Sequence, residues 1–369
     1  MPTADVVIIG AGFAGASTAY HLARRGVGNV VVLEREAVPG VHASGRNAAL
    51  AFTILSDPAE TSLAIEGTAF LSQPPEGFSD DRLLDRIGSL QVAGDAGLPP
   101  LQESQRRAAA AGWQCDIIAA AEATRRVPVL ANGSFSVAFW NPYDGVVDIH
   151  ALLQGYLNGA RAGGVRIEYR REVRAIRASG GRVVAVETDA GVIDTCCVVN
   201  AAGGWAGRVG ELAGVGARSL APRRRHLLQM RVDVPIDRRW PFVWHNDVDL
   251  YFRPERDGLL MSPCDATAHP PQEPIADHSA QELLAEKLPK AFPCLATARV
   301  ASMWACLRTF ARDERFVIGR DPQLEGLVWV AALGGHGMTT SAAVGRLGAA
   351  AVLAESSDEL AYFSPSRLV

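Results

Sequence analysis

Lysine is nearly absent from this chain. Lys287 and Lys290 are the only two, and the other 34 of its 36 basic residues are arginines. Against 40 acidic residues they leave a formal net charge of −4, so no global basic field exists and nucleic acid is not an expected partner. Cysteine is sparse and unpatterned. Cys115, Cys196, Cys197, Cys264, Cys294 and Cys306 form no CxxC and stand at no zinc spacing with histidine. The expectation is reduced, mostly buried thiols and no metal site. Long apolar runs are missing too. The apolar start VVIIGAGFAGASTAY is broken by small residues and followed by His21, which is too interrupted to span a bilayer. No basic leader or small-residue cleavage site precedes it, so the expected location is cytoplasmic. There is no repeat, low-complexity tract or heptad pattern.

What is present begins with Val6 to Ile9, a β-branched run that reads as a buried parallel strand. Gly10-Ala11-Gly12-Phe13-Ala14-Gly15 follows, then a helical stretch to Arg25 stopped by Gly26. A second apolar strand runs from Val30 to Leu33, with Glu34 at its end. This is a βαβ unit with the GxGxxG dinucleotide spacing. Gly10 permits the tight turn, Gly12 lets a pyrophosphate approach the backbone, and Gly15 lets helix and strand pack closely. The helix N-terminus offers free N–H groups to the phosphates. Glu34 can accept hydrogen bonds from ribose hydroxyls, and its charge disfavours a 2′-phosphate, hence NADP.

Farther along, residues 101–126 read as an Ala-rich helical segment. Residues 148–163 read as a helix with an Asp148 N-cap and a glycine stop. Residues 165–199 alternate as strands, residues 217–310 mix strands with one helix near 279–290, and the last 45 residues return to strand, glycine loop and helix. The expected fold class is α/β plus α+β: a Rossmann-like cofactor domain with an inserted substrate domain on an antiparallel or mixed sheet. The cofactor domain is assigned to 1–80, 148–215 and 311–369, and the substrate domain to 81–147 and 216–310.

Four motifs occur in order along the chain: the glycine fingerprint, HASGRNAA at 42–49, VVNAAGG at 198–204 and GGHGMTTS at 334–341. With these the chain resembles the D-amino-acid oxidase superfamily of flavoenzymes over its full length. Within that superfamily it is most similar to bacterial D-arginine dehydrogenases, through segments such as GRNAA, LLQGYLNG, VNAAG and the terminal SPSRL. The resemblance implies FAD as cofactor, a small amino acid as substrate and an electron acceptor that the sequence leaves unknown. It places FAD against Gly10, Gly12, Ala14, Gly15, Glu34 and Arg35, and against Ser44, Gly45, Arg46, Asn47, Ala48 and Ala49. Val173, Ala202, Gly203, Trp205 and Cys306 complete that set with Gly334, His336, Gly337, Met338 and Thr339 of the last glycine loop.

For the substrate, the resemblance implies that Arg308 in WACLRTF holds a carboxylate, a task suited to the two-pronged guanidinium. Arg224 in PRRRH is the expected second carboxylate ligand, within a run from Arg223 to Arg225 that leaves the match open by one residue; Tyr251 offers a hydroxyl, and the Gly335 carbonyl takes the amino group. Cys306 falls where some relatives bond covalently to the flavin; the alternative is a thiol filling a glycine-sized space. The glutamate that holds a guanidinium in D-arginine dehydrogenases corresponds to Ser89, and nearby positions are Leu50, Phe52 and Leu55. The expected activity is therefore oxidation of the C–N bond of a neutral or apolar D-amino acid to an imino acid, then 2-oxo acid and ammonia. Oxidation of a secondary amino acid such as sarcosine or proline is the alternative enzyme reading, and a flavin-binding subunit of an electron-transfer complex the non-catalytic one.

Overall fold

Strand alternation explains the first layer. Val6–Ile9 and Val30–Glu34 lie side by side at the centre of a six-stranded sheet, and every residue of the first is buried. The sheet order is Val317–Arg320, Leu327–Ala331, Val198–Asn200, Val6–Ile9, Val30–Glu34, Arg166–Tyr169. All neighbours are parallel except the Val317–Arg320 edge strand. Val6, Ile8, Val30 and Val32 point to one side, into a core built with Tyr20, Tyr156, Val344 and Leu347 from three helices. Val7, Ile9, Val31 and Leu33 point to the other, against Val173, Ile176, Val183 and Val186. That second cover is a three-stranded antiparallel sheet of Val173–Ser179, Arg182–Thr188 and Gly191–Asp194. A run apolar at every position is what a strand covered on both faces requires. The computed structural model describes residues 3–256 and 258–369.

The helix Phe13–Arg24 packs almost backbone to backbone on Ser341–Val352. A Cβ on Gly345 would come within 2.6 Å of Ser17 atoms. The helix Ile149–Ala162 is capped as its sequence suggests, with the Asp148 carboxylate accepting from the Ala151 N–H at 2.9 Å. The 101–126 segment differs from expectation. It holds the helix Leu98–Ala110, the strand Asp116–Ala119 and the helix Ala120–Arg126. Gly112 turns the chain at φ +77, and Ile117 and Ile118 then pair with Phe139 and Ala138.

The second layer is a nine-stranded mixed sheet. Its path runs Thr267–Ala268, Ala221–Arg231, Gly258–Ser262, Leu250–Glu255, Phe242–His245, Ser89–Ala93, Val137–Asn141, Asp116–Ala119, with Arg299–Phe310 also paired to Ala221–Arg231. Phe242–His245 runs parallel to Ser89–Ala93, and the other pairs are antiparallel. One face carries Leu228, Met230, Val243, Phe252 and Met261 against Leu284 and Leu288 of the helix Ser279–Ala291. The other carries Leu227, Tyr251 and Leu260, which pack with Ala48. Leu50–Ala51, Gly145–Val147 and Leu84–Asp85 form a small sheet between the two layers.

One buried ion pair ties the last segment together. Arg218 donates to the Asp321 carboxylate at 2.8 Å, and Trp329 Nε1 donates to the same carboxylate at 2.8 Å. Both charged side chains are almost wholly shielded from solvent. Removing one partner leaves the other charge uncompensated, at a cost of roughly 3–5 kcal/mol. Asp321→Asn is expected to lower unfolding stability by that amount in a denaturant titration; a midpoint equal to the parent's would contradict it.

Candidate active site

The glycine loop has no room for side chains. Gly10 has φ +107, and a Cβ there would meet the Ala201 carbonyl oxygen at 2.6 Å; a Cβ on Gly15 would meet the Gly10 carbonyl oxygen at 1.9 Å. Gly12 caps the helix Phe13–Arg24 without a side-chain bond, and the first turn carries no acidic residue. The Phe13 N–H donates to Ser44 Oγ at 3.0 Å, so the HASGRNAA loop closes over the helix N-terminus. At the end of the second strand, Glu34 is fixed by the N–H groups of Ala11 and Glu36, at 2.9 and 3.0 Å. The Arg35 guanidinium lies 3.8 Å above the Trp205 ring, with the His42 ring 4.5 Å from it on centroids.

One cavity runs from Glu34, Arg35 and Trp205, past Gly10, Gly12 and Ala14, to Cys306, Arg308 and Gly335. Its first half suits a dinucleotide: glycines where a Cβ would intrude, a helix N-terminus with no acidic residue in its first turn for the phosphates, and a carboxylate for ribose. Its far end is built from the paired strands Ala221–Arg231 and Arg299–Phe310. Their register sets Arg225 opposite Cys306 and Arg223 opposite Arg308. Residues opposite one another share a face, so Arg225, Cys306 and Arg308 project to the same side and all line the cavity.

This register corrects the expectation for Arg224. It lies on the opposite face, where its guanidinium pairs with Asp277 and donates to the Ile275 carbonyl at 3.0 Å. Side chains alternate along a strand, so a displacement of one residue moves the group to the other face of the sheet. Arg225 is the arginine that joins Arg308 at this end of the cavity. Its Nε donates to the Asp265 carbonyl at 2.6 Å, while its Nη1 is buried with no partner among the described residues. The Arg308 side chain makes no ion pair or hydrogen bond among the described residues, and its guanidinium packs on Gly335, where a Cβ would lie 2.8 Å from Nε. Gly335 has φ +101, so glycine is required there on two counts.

The cavity wall also includes Ser44, Asn47, Ala48, Val173, Ala202, Gly203, Gly334, Gly337 and Met338. Several expected residues stand behind it. Gly15 serves the contact between helix and strand, and the Gly45 Cβ position is filled by the Gly40 carbonyl oxygen at 2.2 Å. Arg46 pairs with Glu273, and its carbonyl accepts from Trp304 Nε1. Ala49 holds a left-handed turn at φ +59, and Thr339 Oγ1 donates to the Leu50 carbonyl at 3.2 Å. Tyr251 is 1% exposed, and its hydroxyl has no partner among the described residues.

His336 stacks with Phe52 at 6.5 Å, and burial, then Arg308 and Arg225, push its pKa down to about 3. It is neutral at ordinary pH and adds no charge beside the arginines. Burial pushes the Cys306 thiol up, against the opposing pull of Arg308 and Arg225.

Ser89 does not face the cavity. It is fully buried and donates to the Asp144 carboxyl at 2.6 Å, beside the Thr53 N–H on the same group. Burial raises the Asp144 pKa to about 7. Leu55 is likewise buried, its N–H bonded to Thr61 Oγ1. Sequence reasoning left Arg225 open beside Arg224 and missed His42, Gly204 and Leu307, the last packing where a Gly204 Cβ would lie 2.8 Å away. The one available signal was the parity of Arg225 with Arg223 on a strand.

The family described as FAD dependent oxidoreductase matches residues 5–351. The chain is 27% identical to mitochondrial sarcosine dehydrogenase of Mus musculus, over 93% of its own length and 39% of that protein. It is 26% identical to sarcosine oxidase subunit beta of Rhizobium meliloti (strain 1021), over 87% of its length and 78% of the relative. Among solved structures, L-proline dehydrogenase from P. horikoshii superposes with a TM-score of 0.88 at 22% identity, covering 100% of this chain and 98% of the other. The chain thus spans about two fifths of the length of the first mitochondrial relatives it matches and about three tenths of mitochondrial dimethylglycine dehydrogenase.

Proposed function

This chain belongs to the FAD-dependent oxidoreductase family, and from that premise we propose that it oxidises the carbon–nitrogen bond of a small amino acid at the Arg308 end of the cavity. The observation that carries this reading is Arg308 itself: a guanidinium without a carboxylate partner among the described residues, on the same cavity as the dinucleotide loop. FAD would be held by the Gly10–Gly15 loop, by Glu34 and by the loops at 42–49 and 334–340. When bound, it supplies a two-electron acceptor. The protein's part is orientation and electrostatics. Arg308 grips the substrate carboxylate with its fork, and the Gly335 carbonyl takes the amino group. Tyr251 stands behind this end of the cavity, its hydroxyl without a partner among the described residues. Neutral His336 neither repels an incoming ammonium nor competes for the carboxylate. The resulting imine is hydrolysed by water to a carbonyl compound and an amine or ammonia.

The rest of the substrate is not cationic. Glu34 and Glu172 are the carboxylates on the cavity wall among the described residues, and both lie at the end away from Arg308. Placing a guanidinium or ammonium beside Arg308 and Arg225 with no acid to meet it is costly. A neutral or apolar D-amino acid meets this condition. So does a secondary amino acid such as sarcosine or proline, a reading favoured by the sarcosine-oxidising relatives. Cys306 is read as a space-filling thiol beside the cofactor, because burial opposes the thiolate that a covalent bond needs.

Steady-state turnover of the flavin-loaded protein with a dye acceptor tests the reading. Small neutral D-amino acids or sarcosine are expected to exceed D-arginine and D-lysine at least tenfold in kcat/KM. Preference for the basic substrates would overturn the assignment. Failure of every amino acid would leave the reading of a flavin-binding subunit of an electron-transfer complex.

A further inference from the structure

The strand Ala221–Arg231 carries a second set of polar side chains on the face turned away from the cavity. Side chains alternate along a strand, so Arg224 and His226 point opposite to Arg225. His226 is 1% exposed, yet both of its ring nitrogens are met. Nδ1 lies 2.7 Å from the Asp265 carboxylate, and the Asp277 N–H donates to Nε2 at 3.2 Å. A backbone N–H can only donate, so Nε2 is the accepting nitrogen and the ring proton sits on Nδ1, directed at Asp265. The other oxygen of that carboxylate accepts from the His226 N–H at 2.8 Å. Burial pushes the Asp265 carboxyl up, but the bonds from His226 and the field of Arg225 more than reverse this and hold it below the ordinary carboxylate range.

Asp265 reaches the cavity side through its backbone. Its carbonyl accepts from Arg225 Nε at 2.6 Å, the one hydrogen bond of that side chain among the described residues. A guanidinium is planar and its N–H groups are rigidly disposed, so a bond at Nε sets the direction of the whole fork. The backbone around Asp265 offers little other anchorage. It follows a left-handed turn at Cys264, φ +56, and precedes a short pairing of Thr267 and Ala268 with Arg224 and Arg223. Beyond that pairing the chain returns over the same outer face. Arg224 donates to the Ile275 carbonyl at 3.0 Å and pairs with Asp277, whose N–H meets the His226 ring. The ring is thus held between the outgoing Asp265 and the returning Asp277.

We propose that His226 is a positioning residue: by donating from Nδ1 to Asp265 it holds the carbonyl that aims Arg225 at a substrate carboxylate, while its own ring lies on the far side of the strand. This rests on the amino-acid reading above and adds a residue that touches neither substrate nor cofactor. It joins three observations: a buried histidine with one tautomer fixed by its partners, a carboxylate that meets that histidine twice, and an arginine tied back at Nε with Nη1 left free among the described residues. No proton moves in this role. A long side chain already fixed at Nε loses less freedom when an anion binds, and that preorganisation is the gain.

Asparagine and glutamine separate the two ring nitrogens. An asparagine amide stands near the place of Nδ1 and keeps a donor toward Asp265. A glutamine amide stands near the place of Nε2 and keeps only the acceptor for the Asp277 N–H. The test is a titration of the flavin absorbance of the purified holoprotein with acetate, an unreactive carboxylate. His226→Gln is expected to bind acetate about tenfold more weakly than the parent, and His226→Asn within about threefold of it. Each variant loses one buried bond, so a purely structural histidine would weaken acetate binding equally in both. Asp265→Asn is the milder variant should His226→Gln not fold: its amide can accept from only one of the two His226 donors, and a loss of about threefold or more is expected. Parent-like acetate binding in His226→Gln or in Asp265→Asn overturns the proposal, and so does equal weakening in His226→Asn and His226→Gln. Each of these results leaves the amino-acid reading standing; absence of acetate binding in the parent removes both.

Discussion

Arg308→Met is expected to lower kcat/KM by at least tenfold, and by about a hundredfold if the site is well desolvated, with FAD still bound. Losing one partner of a desolvated charge pair costs ~2–5 kcal/mol, and each tenfold step in rate is only about 1.4 kcal/mol. Methionine keeps most of the length and packing against Gly335, where the guanidinium now rests. The effect therefore reports the charge and its fork rather than a cavity. FAD retention follows from the separation of parts. The glycine loop, Ser44 and Glu34 are bonded to one another and make no hydrogen bond with Arg308. Steady-state kinetics beside the flavin-to-protein absorbance ratio checks both halves. Parent-like kinetics would remove Arg308 from the site.

Gly15→Ala acts at the opposite end and is expected to leave less than a tenth of the parent's bound flavin. The added methyl would stand 1.9 Å from the Gly10 carbonyl oxygen and 3.2 Å from Ile8 Cγ2. The first of these is backbone, in the turn that shapes the loop, so no side chain can swing aside. The start of the helix must move off the strand, carrying with it the N–H groups that meet the phosphates. Overpacking of this kind costs about 1–3 kcal/mol in an ordinary core, and here the displacement falls on the ligand-facing turn. Gly28→Ala is the matched control, since nothing lies within 4 Å of its Cβ position. Flavin absorbance after gel filtration distinguishes them; a Gly15→Ala protein as yellow as the control would contradict the account of the loop.

The cofactor half of the cavity was legible because its signals are local. A turn glycine, a cap and a carboxylate at a strand end act within about 30 residues of one another, and sequence spacing carries their geometry. The substrate half depends on pairing between distant strands. Whether Arg224 or Arg225 faces the cavity is decided by the register of residues 221–231 against 299–310. Three consecutive arginines carry no hydrophobic alternation to reveal that register. Ser89 failed for a related reason. Its neighbour Asp144 lies 55 positions away, and their bond turns the serine into a buried polar network rather than a specificity wall. The β-sheet cover on one face of the six-stranded sheet was equally invisible, because a strand buried under a sheet and one buried under helices share the same apolar run.

The central claim is that one cavity brings FAD and an amino acid together. Anaerobic mixing of the purified yellow protein with amino acids, among them sarcosine, D-alanine and D-aspartate, tests it most directly through the flavin absorbance. The account predicts that at least one bleaches the flavin in a single exponential phase, and that Arg308→Met slows that phase or demands far higher substrate. Full oxidation persisting with every amino acid, in a protein whose flavin dithionite reduces normally, would contradict it.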